Sequence, residues 1–77
     1  MPHVIVKLWP GRTNAQKTYL CNKITEALKT AIDAADSSIS IATEEISKEK
    51  WKELVYDTEI AGKEELLYNK PGYTFPE

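Results

Sequence analysis

Pro2, Arg12 and Trp51 are the residues of this sequence whose types and places suit chemistry. The commoner constellations are missing: there is no nucleophile motif, no glycine-rich phosphate loop and no metal-ligand spacing. Cys21 is the only cysteine and His3 the only histidine, so a disulfide within the chain or a Cys/His metal cluster is not expected. Position 2 offers a less common group. Initiator methionine is commonly trimmed before proline, which would leave Pro2 with a free secondary amine. An α-amino group titrates at about 7.7–8.0 in model peptides. A prolyl amine starts more basic, and apolar burial or a nearby cation would lower it towards neutrality. Trp51 is the candidate for the first influence and Arg12 for the second. A base so poised can lift a proton from a carbon beside a carbonyl and return it elsewhere. While Met1 is attached, however, the same nitrogen is a tertiary amide without a basic lone pair.

The elements that must position these residues follow from local pattern. Val4 to Trp9 is rich in β-branched and aromatic residues and stops at Pro10-Gly11, which predicts a strand closed by a turn. Thr13 with Gln16 three residues on forms a capping-box pattern. Leu20, Ile24, Ala27, Leu28, Ala31 and Ile32 then predict an apolar stripe on a helix running to about Ala35, with Lys17, Lys23, Glu26 and Lys29 in water. Asp36-Ser37-Ser38 breaks the pattern, and alternation from Ile39 predicts a second strand ending near Ile46. Strands joined through a helix are expected to be parallel, with a right-handed crossover. Lys48 to Trp51 reads as a short turn or 3₁₀ piece. Thr58 to Asn69 reads as a helix that Gly62 weakens by roughly 1 kcal/mol. The residues after Lys70-Pro71-Gly72 read as an arm or tail.

Length and composition set the frame. Seventy-seven residues make a single domain, 1–77, and a chain so short is marginal without a disulfide, a metal or assembly. With the first two unexpected, self-association is the expected support. The net charge of −2, with lysines and glutamates interleaved, argues against nucleic acid as a partner. No membrane span or signal peptide is evident, and one free thiol fits a reducing cytoplasm.

The run Pro2-His3-Val4-Ile5-Val6-Lys7-Leu8-Trp9-Pro10-Gly11-Arg12-Thr13, followed by Gln16-Lys17, resembles the opening of the 4-oxalocrotonate tautomerase family. Ser38-Ile39-Ser40-Ile41 through Glu44-Glu45-Ile46 to Trp51 is similar to the family's second strand and aromatic-bearing turn. Ile60-Ala61 and Lys70-Pro71-Gly72-Tyr73 resemble the tail of a short bacterial subgroup with an N-terminal catalytic proline. The resemblance implies an α/β fold in two layers: a β-α-β unit with parallel strands and a short C-terminal helix, its sheet completed by dimerisation. It implies a tautomerase that interconverts enol and keto forms of a small 2-oxo acid without metal or cofactor. Pro2 would be the general base, Arg12 would bind a substrate carboxylate or steady charge on the carbonyl oxygen, and Trp51 would keep the amine dry. The C-terminal segment from Thr58 to Pro76 resembles members that stop at the dimer, so a homodimer is expected in preference to a hexamer.

Ser40 stands where the best-known members carry a second arginine. A hydroxyl does not pair with a carboxylate as a guanidinium does, so a monoacid enol such as phenylenolpyruvate suits the site better than a dicarboxylate. Two other readings stay open. One is a hydratase or dehalogenase of small unsaturated acids, in which a protonated Pro2 is the acid. The other is a non-catalytic oligomeric binding protein on the same fold. Among the remaining residues, strand alternation turns His3 away from Pro2 and favours a structural role. Lys7 is a wet lysine or a subunit contact, and Ser40 by itself is a polar strand residue. Cys21 reads as a small buried apolar group. Tyr73 and Phe75 are either frayed or packed over a partner.

Overall fold

A computed structural model describes residues 1–75, so Pro76, the end of the expected C-terminal segment, lies outside the described residues. The α/β expectation holds. The order is strand β1 (His3–Leu8), helix α1 (Asn14–Ile32), a 3₁₀ turn (Asp36–Ser38), strand β2 (Ser40–Glu45) and helix α2 (Lys48–Trp51). Helix α2 continues into a π-wound stretch (Lys52–Ile60) and a 3₁₀ stretch (Ala61–Leu66). Two compact units result, one of residues Met1–Glu45 and one from Ile46 onward.

In the first unit β1 and β2 pair in parallel, from His3↔Ser40 to Leu8↔Glu45. Val4 and Val6 of β1 and Ile41 and Thr43 of β2 are half-buried, whereas His3, Ile5, Ser40 and Ala42 are exposed. This is the two-residue alternation of a sheet covered on one face. Helix α1 starts as its capping box predicts. The Gln16 N–H donates to Thr13 Oγ1 at 3.0 Å and the Thr13 N–H donates to Gln16 Oε1 at 2.8 Å.

The helix ends at Ile32 rather than near Ala35. Asp33 takes a left-handed φ of 56°, and the N–H groups of Asp33 and Ala34 turn back to the Leu28 carbonyl. Aspartate is one of the few residues besides glycine that accepts this conformation readily. The buried face of α1 is also rotated from the expected one. Its half-buried positions are Lys17, Cys21, Ile24, Thr25 and Leu28, while Leu20, Ala27, Ala31 and Ile32 remain exposed. The apolar residues thus form two neighbouring stripes, of which this sheet covers one. Lys17, expected in water, is only 20% exposed in its side chain, and its Nζ reaches Glu45 Oε2 at 3.3 Å. Its methylene stem does apolar work while its head is paired.

The second unit departs further from expectation. Helical backbone begins at Lys48, not Thr58, and ends at Leu66, not Asn69. Its better-buried residues are Trp51, Lys52, Val55, Tyr56, Glu59 and Ile60. They recur every four residues, a wider step than the 3.6 of an α-helix, and the stretch is correspondingly π-wound. The winding also explains Gly62: a Cβ there would lie 2.6 Å from the Asp57 carbonyl oxygen, five residues back. Tyr73 and Phe75 pack within their own chain. Their rings lie 5.8 and 5.1 Å from that of Tyr56. Lys70 Nζ bonds Glu64 Oε1 at 2.9 Å, and this hydrogen bond holds the Glu64 carboxyl below its ordinary range and the Lys70 ammonium above its own.

Only Ile46 (8% exposed) and Val55 (5%) are buried hydrophobic residues among those described. A two-stranded sheet with so little enclosed apolar surface needs further subunits to be stable.

Gly62→Ala is expected to destabilise the protein by about 1–3 kcal/mol, because backbone must move to admit the methyl group. Gly72→Ala, where a Cβ meets nothing within 4 Å, should stay within about 0.5 kcal/mol of wild type. Urea unfolding of the pair measures the difference, and equal midpoints would remove the close-approach explanation.

Candidate active site

Pro2 sits half-buried at the start of β1. Its carbonyl accepts the Ser40 N–H at 3.2 Å, so the ladder holds the residue although it precedes the strand. Met1 is fully exposed, at 102%. Removal of Met1 would leave the secondary amine on a backbone held by the Ser40 hydrogen bond.

Arg12 lies beyond the other end of β1. Gly11 makes the turn with a φ of +127°, a value closed to most side chains. Thr13 then caps α1, so Arg12 is held between a glycine turn and a capping box. It lines a shallow open hollow with Leu8, Gln16, Lys17 and Leu20. Two cations therefore border this hollow, one of them countered by Glu45. The adjacent first turn of α1 presents the positive end of the helix dipole, which also favours an anion.

Pro2 and Arg12 are not brought together within a chain. A parallel strand rises about 3.3 Å per residue, so the six residues of β1 keep its ends roughly 17 Å apart. Trp51 belongs to the second unit, where it is half-buried and its Nε1–H donates to Tyr73 Oη at 3.0 Å.

Three features escaped sequence reasoning. His3 Nδ1 and Ser40 Oγ lie 2.6 Å apart. The signal was available in the register, since parallel strands starting at these two residues make them the first cross-strand pair. Tyr73 as the partner of Trp51 depends on the fold-back of the tail, which has no local signature. Lys17 beside Arg12 depends on the rotation of α1. Among the described residues, no group of three or more His, Cys, Asp or Glu side chains is placed to hold a metal ion, and no helix is long and apolar enough to cross a membrane.

Comparison with known proteins gives the family. The family described as tautomerase enzyme matches residues 2–58. Tautomerase PptA of Enterobacter sp. is 43% identical over 75 residues, covering 96% of this chain and 99% of that protein. Tautomerase PptA of Cronobacter sakazakii is 39% identical over 74 residues, covering 95% and 97%. That of Escherichia coli O157:H7 is 40% identical over 75 residues, covering 96% and 99%. Among solved structures, YwhB, a homologue of 4-oxalocrotonate tautomerase, is 42% identical with a TM-score of 0.59, over 61% of this chain and 77% of that one. These relatives make the chain an enzyme of the isomerase class. It belongs to the tautomerase family, of the 4-oxalocrotonate tautomerase type.

Proposed function

We propose that the chain, once Met1 is removed, is a cofactor-independent keto–enol tautomerase of small 2-oxo acids with the Pro2 amine as its base. The observation that carries this is the placement of Pro2: its carbonyl is tied to the Ser40 N–H at 3.2 Å, while the methionine before it is fully exposed. In the enolising direction the amine removes a proton from C3, and the C–H electron pair becomes the C2–C3 double bond. The former carbonyl pair moves to the 2-oxygen, which takes a proton. Ketonisation reverses these steps, with the prolyl ammonium giving its proton to C3. The amine must be unprotonated to begin the first direction, and apolar surroundings with a neighbouring cation favour that state.

Arg12 is the residue suited to a substrate carboxylate, since its planar guanidinium is permanently charged and donates in pairs. The length of β1 places it out of reach of its own Pro2, so the partner subunit supplies it. A homodimer formed through the open edge of β1 achieves this. Antiparallel pairing of the two copies sets the N-terminal end of one β1 beside the C-terminal end of the other, from which Arg12 of the partner subunit emerges. Such pairing also completes a four-stranded sheet and offers cover for the exposed apolar stripe of α1. Trp51, oriented by Tyr73, is proposed as an apolar wall for the substrate. A lone thiol and a small-acid substrate are consistent with the cytoplasm.

Phenylenolpyruvate ketonisation, followed by ultraviolet absorbance with protein whose mass shows Met1 gone, is the direct test. Pro2→Ala, which leaves a primary amine on a less rigid residue in place of the secondary one, should lower the rate by about 10²-fold, the low end of the range for a general base. Equal rates in the two proteins, or no wild-type rate above background, would sink the tautomerase assignment for this substrate class.

Sharing of the site has its own test. Pro2→Ala and Arg12→Ala are each expected to lose nearly all of the wild-type activity. Refolding them together as a mixture should restore about a quarter of the wild-type activity, because half the dimers are mixed and each mixed dimer holds one intact site. No recovery on mixing would mean that each chain uses its own arginine.

A further inference from the structure

The first cross-strand pair of the sheet lies one residue from the proposed base. His3 and Ser40 face each other in register, both exposed, with Nδ1 and Oγ 2.6 Å apart. Ser40 is thereby fixed twice, through its N–H to the Pro2 carbonyl and through its hydroxyl to His3. Whichever way the shared proton lies, the pair turns a donor outward. If the Ser40 hydroxyl donates to Nδ1, the neutral imidazole carries its hydrogen on Nε2. If Nδ1–H donates to Oγ, the hydroxyl hydrogen is free to point away. The pair stands on the sheet face opposite α1, because Ile41, the neighbour of Ser40 in β2, lines a hollow with residues of that helix. Next along this face come Ile5 and Ala42, which bring no charge to the pair.

From this arrangement we infer that His3 and Ser40 form a donor pair for the 2-oxygen of the substrate, and so a specificity determinant of the site. The inference rests on the reading of Pro2 as the base. When the amine takes the C3 proton, negative charge develops on the 2-oxygen, and a donor already oriented there stabilises it without reorganisation. One partner presents the hydrogen and the other holds it in place. Such a pair donates one hydrogen bond, where a second guanidinium would clasp a carboxylate with two. It therefore selects acids with an oxygen beside a single carboxylate over those with a second carboxylate at this point.

Steady-state kinetics on phenylenolpyruvate with Ser40→Ala, His3→Phe, Ser40→Thr and the double variant Ser40→Ala/His3→Phe test the inference, with Pro2→Ala alongside. Ser40→Ala and His3→Phe should each lower kcat by about tenfold or more with little change in KM, as expected for a donor that acts on developing charge. The double variant should lose no more than either single, since the two act as one unit. Ser40→Thr, which keeps the hydroxyl on a β-branched residue, should retain most of the rate. Rates within twofold of wild type in both single variants, beside a nearly inactive Pro2→Ala, would overturn the inference and leave the base standing. Losses that add in the double variant and track a falling thermal midpoint would also overturn it, by showing a purely structural contact. A wild-type rate indifferent to Pro2→Ala would bring down both readings together.

Discussion

The length of β1 is the constraint from which the rest of the structure follows. Six residues in parallel register with β2 put Pro2, His3 and Ser40 at one end and Leu8, Glu45, Lys17 and Arg12 at the other. The crossover must span the same distance backwards. Helix α1 has 19 residues and at 1.5 Å each is roughly 28 Å long, well over the strand's roughly 17 Å. The excess is taken back by the left-handed Asp33 and the 3₁₀ turn Asp36–Ser38, so that β2 begins level with His3. Two short irregularities thus set the register, and the register places Ser40 against Pro2.

The same shortness limits what can be buried. A two-stranded sheet under one helix encloses no fully buried residue in the first unit, and the apolar residues of α1 spread over two stripes of which one is covered. Stability and function then make the same demand. Exposed apolar surface favours association, and under the proposed function the separation of Pro2 from Arg12 would give association a chemical use. On the proposed reading, a monomer would lack both its core and its complete site.

Much of this was legible in the sequence wherever local chemistry decides conformation. Thr13 and Gln16 specify the start of α1 within one residue, and Pro10-Gly11 and Asp36-Ser37-Ser38 mark the turns that define a β-α-β unit. What escaped depended on departures from ideal geometry or on contacts distant in sequence. The second helical segment repeats its buried residues every four positions, and a 3.6-residue template passes over Lys52 to Asp57. Gly62, taken as a weakness, marks a close approach to the Asp57 carbonyl just beyond the π-wound stretch. Among the candidate residues, Pro2 and Arg12 are proposed from type and position alone. Their separation was legible only from the strand between them, and the His3–Ser40 contact only from the register.

A chain with so small a core among its described residues has few means of holding reactive groups still. Packing usually fixes a side chain by surrounding it, and neither Pro2 nor Arg12 is so surrounded within one subunit. Both are held through the backbone instead. Pro2 is anchored by a ladder hydrogen bond that leaves its nitrogen outside the strand. Arg12 is set between a glycine whose positive φ admits few other residues and a threonine whose side chain closes the first turn of α1. The anchors of Arg12 are local in sequence, whereas that of Pro2 reaches across to Ser40 and comes with the pairing of β1 and β2. On the proposed reading, association brings two ends held in this way together, which lowers the ordering cost of assembling the site. That division of labour lets so small a chain carry an enzyme.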